Sequence, residues 1–455
     1  MLSWQDGWGN YTATVTVSDK VEKGTTIAGT TEGGAQYTLT ALDKGTLDEL
    51  PAFSLVLGGE GAVLSGEGGL AWAKYDLGKA VTNLSVGEGV TEIGKNAFSS
   101  FRALQTIDQQ SPALRLENGV LYGNDGARVI VACAAAGDAY AMPDAVSEID
   151  EAAFASAVLR SITTGTGLTT LPVRAFAHCY ALESVQLSAA LQTIEAGAFV
   201  RCTALQTLHI PAGVTDISPF TFSGELDYSD LYAVSSSTPA QNALTEITVD
   251  PANPAYSSED GVLFNKGKTE LLHFPQKKAG PYAVPDGVYR IGKAAFYGCE
   301  LQTVTLPDGL YFIDAYAFAY SKIASVDLPQ NLASIGSFAF AYCMDMKSIV
   351  IPPAVYKMGA GVFFANLIEY EDVSGYEDAV MTGKARSALE GIYCLADEAP
   401  KGSRMVILPD GSRQMIAADW PEDIRNGRKT WKSGTAAAVY WGGEWDYVNG
   451  VPTAK

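Results

Sequence analysis

The chain has 455 residues, 47% of them hydrophobic, which is ample for an extended core and a length that allows one to three domains. Its formal net charge is −20, with 31 Lys and Arg against 51 Asp and Glu, which argues against nucleic acid and anionic membrane surfaces, since both want basic patches. No apolar run approaches the roughly 18 residues of a membrane span, and the opening Met1-Leu2-Ser3-Trp4-Gln5-Asp6-Gly7 has neither the basic nor the apolar region of a signal peptide.

Residues 1–57 alternate like strands at 11–17, 37–42 and 53–57, separated by Gly and Asp/Lys turns. Trp4, Trp8 and Trp72 are expected to pack in this β region. A Gly-rich stretch, 58–89, leads into the first clear copy of a sequence repeat at Val90. Residues 1–80 are therefore predicted to form a β-rich N-terminal cap that shields the first repeat, since the ends of a repeat array need protection.

The stretch 191–211, LQTIEAGAFVRCTALQTLHIP, is the clearest copy of a unit that returns nine times. Its anchors are Ile93, Ile149, Leu171, Ile194, Ile217, Ile291, Ile313, Ile335 and Met358. A small residue and Phe follow each anchor, as in Ala97-Phe98, Ala198-Phe199, Thr221-Phe222 and Ala339-Phe340, except that Val362 takes the small residue's place in the last copy. Outside two interruptions the anchors stand 22 or 23 residues apart. One such unit cannot bury its own apolar face, so units must stack as the rungs of a solenoid.

Each rung is predicted to carry one short strand, as at 182–187, 205–210, 301–306 and 323–328, with the strand sheet on one face. Ser184, Gln186, Thr207, His209, Thr303, Thr305, Ser325 and Asp327 then point outward. At about 4.8 Å per rung, nine rungs span roughly 45 Å plus the interruptions. The repeat Phe is the large wedge of the core, and the small residue before it marks a close approach of backbones. Proline ends several strands (Pro211, Pro307, Pro329, Pro352).

The interruptions resemble each other. Gly119-Val120-Leu121-Tyr122 and Gly261-Val262-Leu263-Phe264 each stand 30 residues before an anchor, and each return passes a Tyr and a Pro (Tyr140 and Pro143; Tyr282 and Pro285). A wide variant rung containing a hairpin is expected at both places. Residues 223–243 are polar and irregular and read as a loop leaving the array. The repeat fades after Leu367. Residues 81–370 thus form the repeat region, and 371–455 a C-terminal region to which the pattern assigns no fold.

Cys179, Cys202, Cys299 and Cys343 each fall three residues after a repeat Phe. A small apolar filler at one repeat position explains them better than a metal site or a disulfide framework. Cys299 and Cys343, two rungs or roughly 10 Å apart, are too distant to bridge. Cys133 and Cys394 are isolated, and no Cys-x-x-Cys occurs.

The consensus Val-x-x-Ile-Gly-x-x-Ala-Phe-x-x-Cys-x-x-Leu-x-x-Val-x-Leu-Pro resembles the BspA-like class of bacterial leucine-rich repeats. The segments 90–98 (VTEIGKNAF) and 288–299 (VYRIGKAAFYGC) match it closely, as does the Gly-Val-Leu-Tyr variant rung. The resemblance covers roughly residues 81–370. It implies a leucine-rich repeat solenoid that is secreted or displayed on a bacterial cell surface and associated with adhesion and protein-protein interaction. It carries over no catalytic residues. A mature or trimmed piece of a surface protein is then preferred to a cytosolic protein.

Nothing in the sequence assembles a catalytic or metal site. His178, His209 and His273 stand at no ligand spacing from each other or from Cys or Asp. The Gly-rich runs 58–61 and 66–69 lack a following Lys-Ser/Thr and read as turns. No enzyme activity, cofactor or metal is expected.

Two surfaces are candidates for binding. One is the uncharged Ser, Thr and Gln face of the strands. The other is a set of tyrosines in the last rungs. Tyr289, Tyr311 and Tyr356 stand two residues before their anchors, where earlier rungs carry Thr91, Ser147, Thr169, Gln192 and Thr215, so exposure is expected. Tyr297, Tyr320 and Tyr342 follow the repeat Phe. Exposed tyrosine rows suit a protein or sugar, although rung-to-rung stacking without a ligand also accounts for them. The leading expectation is an interaction protein that binds a host or bacterial surface protein. The alternative is a glycan- or cell-wall-binding protein that uses Trp431, Trp441 and Trp445, with the solenoid as spacer; the core of a small C-terminal cap is the competing account of those tryptophans.

Overall fold

The computed structural model describes residues 20–46, 49–65, 69–74, 76–123, 125–155, 157–222, 242–364, 389, 391–421, 438–448 and 451–455. Trp4, Trp8, Trp431, the strand expected at 11–17 and nearly all of the 223–243 loop lie outside them. The chain divides into two compact units, Met1–Cys179 and Tyr180–Lys455. Among the described residues, helix is confined to Ala71–Lys74 and the 3-10 turns Gly78–Ala80 and Ala134–Ala136.

In the first unit the strands expected at 37–42 and 53–57 are Gln36–Ala41 and Phe53–Gly58. Period-two alternation sets the second of these: Phe53, Leu55 and Leu57 are buried while Val56 is exposed. Both belong to a five-stranded sheet in the order Thr26–Thr30, Gln36–Ala41, Phe53–Gly58, Val81–Val86, Thr106–Gln109. The first three strands pair antiparallel and the last two join in parallel, so the sheet passes from the N-terminal hairpin into the first rung. Trp72 is fully buried beneath it. Its Nε1 donates to the Ala97 carbonyl at 2.7 Å and its ring stacks on Phe98, the first repeat Phe.

The variant rungs are three-stranded meanders. Leu114–Glu117, Val120–Gly123 and Arg128–Ala132 run antiparallel, and the last pairs in parallel with Glu148–Ile149. The second unit repeats the device with Tyr256–Glu259, Val262–Asn265, Glu270–His273 and Arg290–Ile291. Each first turn holds two residues at positive φ: Asn118 and Gly119 at 47° and 73°, Asp260 and Gly261 at 48° and 74°. That is the two-residue hairpin turn that Asn-Gly and Asp-Gly favour.

The expectation of one strand per rung needs correction. Ordinary rungs contribute two short strands to two rows. One row is built from the anchors themselves. In the second unit Arg290–Ile291, Phe312–Ile313, Ser334–Ile335 and Lys357–Met358 pair in parallel, with Ile291, Ile313, Ile335 and Met358 in one register line. The other row holds the expected strands, such as Thr207–Ile210, Val304–Thr305 and Ser348–Ile351, although 323–328 supplies only a single bridge, Thr303 to Ser325. A two-residue strand is too short to show an alternation to read.

Between the rows the repeat phenylalanines stack. Phe296–Phe318 and Phe318–Phe340 centroids lie 4.9 and 5.1 Å apart at 11° and 1°, close to the rung spacing of about 4.8 Å. Ala295, Ala317 and Ala339 beside them are fully buried. All six cysteines are free and buried. The Cys179 and Cys343 thiols donate to the carbonyls of Phe154 and Phe318, the repeat phenylalanines one rung earlier, at 3.2 and 3.1 Å. They are fillers, and each adds a second, weak donor to a carbonyl that already accepts a backbone N–H, from Ala157 at 3.0 Å and from Ser321 at 3.1 Å.

The region beyond the recognised repeats extends the second row. Gly391–Cys394 pairs in parallel with Ser348–Ile351, and Ala438–Tyr440 with Gly391–Cys394. Ile392 and Cys394 enter the same core as Ile349 and Ile351, and Leu389 and Trp420 close it.

Candidate functional site

The site follows from how the chain turns after each anchor. In eight repeats the third residue past the anchor has positive φ: Asn96, Ala152, Arg174, Gly197, Ala294, Tyr316, Phe338 and Gly361, all between 56° and 65°. The seventh does the same at His178, Arg201, Gly298, Tyr320 and Tyr342. These two reversals aim the intervening Phe inward and leave the third and seventh side chains outside the main core. Gly and Asn suit such positions, whereas a bulky residue is strained there by about 1 kcal/mol or more.

In the last rungs both positions are aromatic, and the rings stack from rung to rung. Tyr316 and Phe338 lie 5.2 Å apart at 5°, and Tyr320 and Tyr342 lie 4.3 Å apart at 8°. Phe364 meets Phe338 and Tyr342 edge-on at 5.9 and 5.7 Å. Phe220 meets Tyr316 edge-on at 5.9 Å, and the Lys293 ammonium sits 4.6 Å from the centre of the Phe220 ring. Buried Ala294, Ala319 and Ala341 belong to the same cluster, separate from the main core, while Tyr316, Tyr320, Phe338 and Tyr342 are half-buried.

Of this ladder the sequence singled out Tyr297, Tyr320 and Tyr342. Tyr297 is a correction: it stands six residues past its anchor instead of seven, is 2% exposed, and forms the buried end of the cluster against Tyr320. Phe220, Tyr316, Phe338 and Phe364 were missed. The signal for Phe220, Tyr316 and Phe338 was an aromatic residue at the third position, where the other rungs use Asn, Gly, Ala or Arg.

The other tyrosine row is not open. Tyr289, Tyr311 and Tyr356 are half-buried beneath an antiparallel hairpin, Ser403–Ile407 with Arg413–Ala417. Val406 and Ile416 of that hairpin are buried in one cluster with Phe312, Ala333 and these rings. Arg404 ties it down by donating to the Ala354 carbonyl at 2.9 Å. Exposure does not hold here because the cover arrives from a segment about fifty residues downstream of Tyr356.

The C-terminal tryptophans turn inward where they are described. Trp445 is buried, its Nε1 donates to the Cys394 carbonyl at 3.0 Å and its ring packs on Tyr393. Trp441 stacks on buried Trp420 at 5.6 Å, and Trp420 donates to the Val355 carbonyl at 3.1 Å. Trp431 lies outside the described residues.

His209 Nδ1 is 3.0 Å from Thr248 Oγ1 on the neighbouring strand. His273 is buried, and burial pushes its pKa down to about 3. Among the described residues no group of three or more His, Cys, Asp or Glu is placed to hold a metal ion, and no helix is long and apolar enough to cross a membrane.

The sequence profile of the BspA type leucine rich repeat region matches six times, over residues 77–130, 138–243 and 274–375, more than half of the chain. The chain belongs to the BspA-type leucine-rich repeat family. The matched segments of this BspA-type protein contain all nine anchors and both columns of the aromatic ladder. A comparison with curated protein sequences finds no match. Among solved structures, a leucine rich cell surface protein from Faecalibacterium prausnitzii A2-165 is 21% identical over 92% of this chain and 95% of its own, with a TM-score of 0.50, which shows a shared fold. The pneumococcal vaccine antigen PcpA is 16% identical over 84% of each chain, with a TM-score of 0.46. A leucine-rich repeat protein from Eubacterium ventriosum ATCC 27560 is 18% identical over 82% of this chain and 79% of its own, with a TM-score of 0.37.

Proposed function

We propose that this BspA-type protein is a non-catalytic interaction protein of the cell surface or extracellular space, and that its aromatic ladder binds a protein partner. Its family, and the similarity to a protein named as a cell surface protein, support the location. The observation that carries the choice of partner is the stacking of Tyr320 on Tyr342 and of Tyr316 on Phe338. A sugar ring packs against a free aromatic face. Here the faces cover one another, so the ladder offers ring edges and phenolic hydroxyls, which suit the mixed apolar and hydrogen-bonding contacts of a protein interface. Four aromatic residues at strained positive φ, in positions that most other rungs fill with small, polar or charged residues (Phe220, at ordinary φ, is the exception), also fit a functional constraint better than a packing need. The inward-turned Trp441 and Trp445 weigh against the glycan reading.

The test is a binding screen of the immobilised chain against matrix glycoproteins and bacterial wall glycans. The Tyr320→Asn, Tyr342→Asn double variant keeps residues that tolerate positive φ and removes both rings. It is expected to weaken protein binding by about 30-fold or more, since two interface tyrosines are worth roughly 2 kcal/mol. Protein binding that ignores these changes, or wall-glycan binding in its place, overturns the reading.

A further inference from the structure

Exposed large apolar side chains are not scattered over this molecule. Among the described residues, seven of the eleven lie between Leu395 and Val451, which points to the C-terminal end of the second unit. Three of them, Met405 (49% exposed), Ile407 (57%) and Met415 (57%), share one face of the hairpin that covers the tyrosine row. Met405 and Met415 are directly opposite across the two strands, and Ile407 lies opposite Arg413. The hairpin thus has two apolar faces: Val406 and Ile416 pack on the tyrosines, while the methionine face looks outward.

Two further features narrow what this face accepts. The strands read Ser403-Arg-Met-Val-Ile407 and Arg413-Gln-Met-Ile-Ala417, two cations and no acid, on a chain of net charge −20. Arg404 is engaged with the body, which leaves Arg413 on the outward face beside the apolar residues. The two strands form a sheet of two, and among the described residues the outer edge of Arg413–Ala417 has no strand partner; that edge is first met at Asp419, which bridges Lys357 and exchanges backbone hydrogen bonds with Tyr356 and Met358. Natural sheets guard such an edge with charged side chains, proline, a bulge or a covering element, and on this strand Arg413 is the one charge. The strand also carries Met415, a side chain that adapts to varied contacts.

Area decides between occupants. Three half-exposed side chains offer on the order of 300 Å², against roughly 800 Å² per partner in a stable association. A second copy docking on this face alone falls short. A strand that pairs with the edge adds main-chain hydrogen bonds to the small apolar contact. We infer that the edge of Arg413–Ala417 accepts an extended segment of a partner protein as a third strand, with an apolar residue beside Met415 and a carboxylate beside Arg413. Those two positions are two residues apart and share a face, so the segment alternates apolar and acidic residues on one side.

The experiment uses the full chain and three end-blocked strand peptides, read by fluorescence anisotropy. All carry threonine on one face. The first alternates valine with glutamate on the other, the second alternates valine with lysine, and the third is the first with alternate backbone nitrogens methylated. The glutamate peptide is expected to bind, with the lysine and methylated forms at least about tenfold weaker, the equivalent of losing one or two net hydrogen bonds. Arg413→Glu should exchange the preference toward lysine, and Met415→Thr should weaken both. Both side chains are exposed, and unchanged thermal melting of the variants confirms folding. No binding of the glutamate peptide overturns the inference, and so does binding that survives methylation, because the contact would then not be strand addition.

Discussion

The imidazole of His273 lies against the ring of Phe222 with centroids 4.4 Å apart, and neither of its nitrogens has a hydrogen-bond partner among the described residues. In the first variant rung the same register position is held by buried Val131. Burial alone lowers the His273 pKa from 6.5 to about 3. The sign is set by which state takes up the proton. Below 6.5 the unfolded chain binds a proton that the folded chain refuses, so stability is complete above that pH and falls as the pH drops toward 3. The slope is up to a factor of about ten in the folding equilibrium per pH unit. His273→Phe is expected to remove this contribution and, by deleting two unsatisfied nitrogens, to raise stability at pH 7 by about 1–3 kcal/mol. Thermal melts of both proteins at about pH 7 and about pH 5 check it; parallel shifts in the two would assign the slope to other groups.

A charged pair in the first unit shows the opposite case, a buried polar group fully satisfied. Asp150 is 1% exposed and receives Arg128 Nε and Nη2, both at 2.7 Å, and the Asn96 backbone N–H at 2.9 Å. Arg128 Nη1 also donates to the Ile93 carbonyl at 2.9 Å, so one cluster ties the variant rung to the first repeat. Asp150→Ala strands a partly buried guanidinium and is expected to cost about 3–5 kcal/mol. Arg290 and Asp314, joined by a single bond of 2.7 Å with both side chains a quarter or more exposed, should lose only about 1 kcal/mol in Asp314→Ala. Denaturant titration of the two variants gives the comparison, and equal losses would contradict it.

What the sequence revealed and what it hid divide along physical lines. The Ala-Phe period and the paired Gly-Val-Leu segments were legible because a stacked core repeats its large side chains at fixed intervals. Trp72 was placed correctly in the N-terminal β region because so large an apolar ring is rarely left outside a core. The anchor strands were hidden because two residues cannot alternate. The hairpin over Tyr289, Tyr311 and Tyr356 was hidden because its own alternation, Val406 inward between Met405 and Ile407 outward, shows apolar residues on both faces. The aromatic ladder was half legible: Tyr320 and Tyr342 stood out by composition, while Tyr316 and Phe338 owe their place to a backbone conformation that a sequence of bulky residues disguises.

That conformation makes its own prediction. Arg174 is exposed at φ 58°, where the equivalent residue of the first rung is Asn96. Arg174→Asn should stabilise the chain by about 0.5–1 kcal/mol, because Asn tolerates the left-handed region better. Gly361 holds the same repeat position at φ 61°, and an added Cβ would stand 2.5 Å from the Phe338 ring. Gly361→Ala should therefore cost about 1–3 kcal/mol. Opposite signs in melting temperature support a shared backbone constraint; a destabilising Arg174→Asn would deny it.

The buried thiols separate packing from reactivity. Burial pushes Cys179, Cys299, Cys343 and Cys394 up to about 12, so at about pH 8 few of these thiols are ionised and none is a ready nucleophile. A thiol reagent such as Ellman's should find them unreactive in the folded chain and reactive once it is unfolded. Cys343 has a native test of its polar contact: Ser321 holds the same repeat position one rung earlier and is itself buried. The Cys343 thiol reaches both the Phe318 carbonyl, at 3.1 Å, and Ser321 Oγ, at 3.4 Å. Cys343→Ser keeps a donor for that carbonyl and is expected to change stability by less than about 1 kcal/mol. Cys343→Ala removes the second donor from that carbonyl, which keeps the Ser321 backbone N–H at 3.1 Å, and leaves a small void, and should lose about 1–2 kcal/mol. If alanine proves as stable as serine, the thiol is a filler only, and the recurrence of cysteine at this position reflects volume without any need for a hydrogen bond.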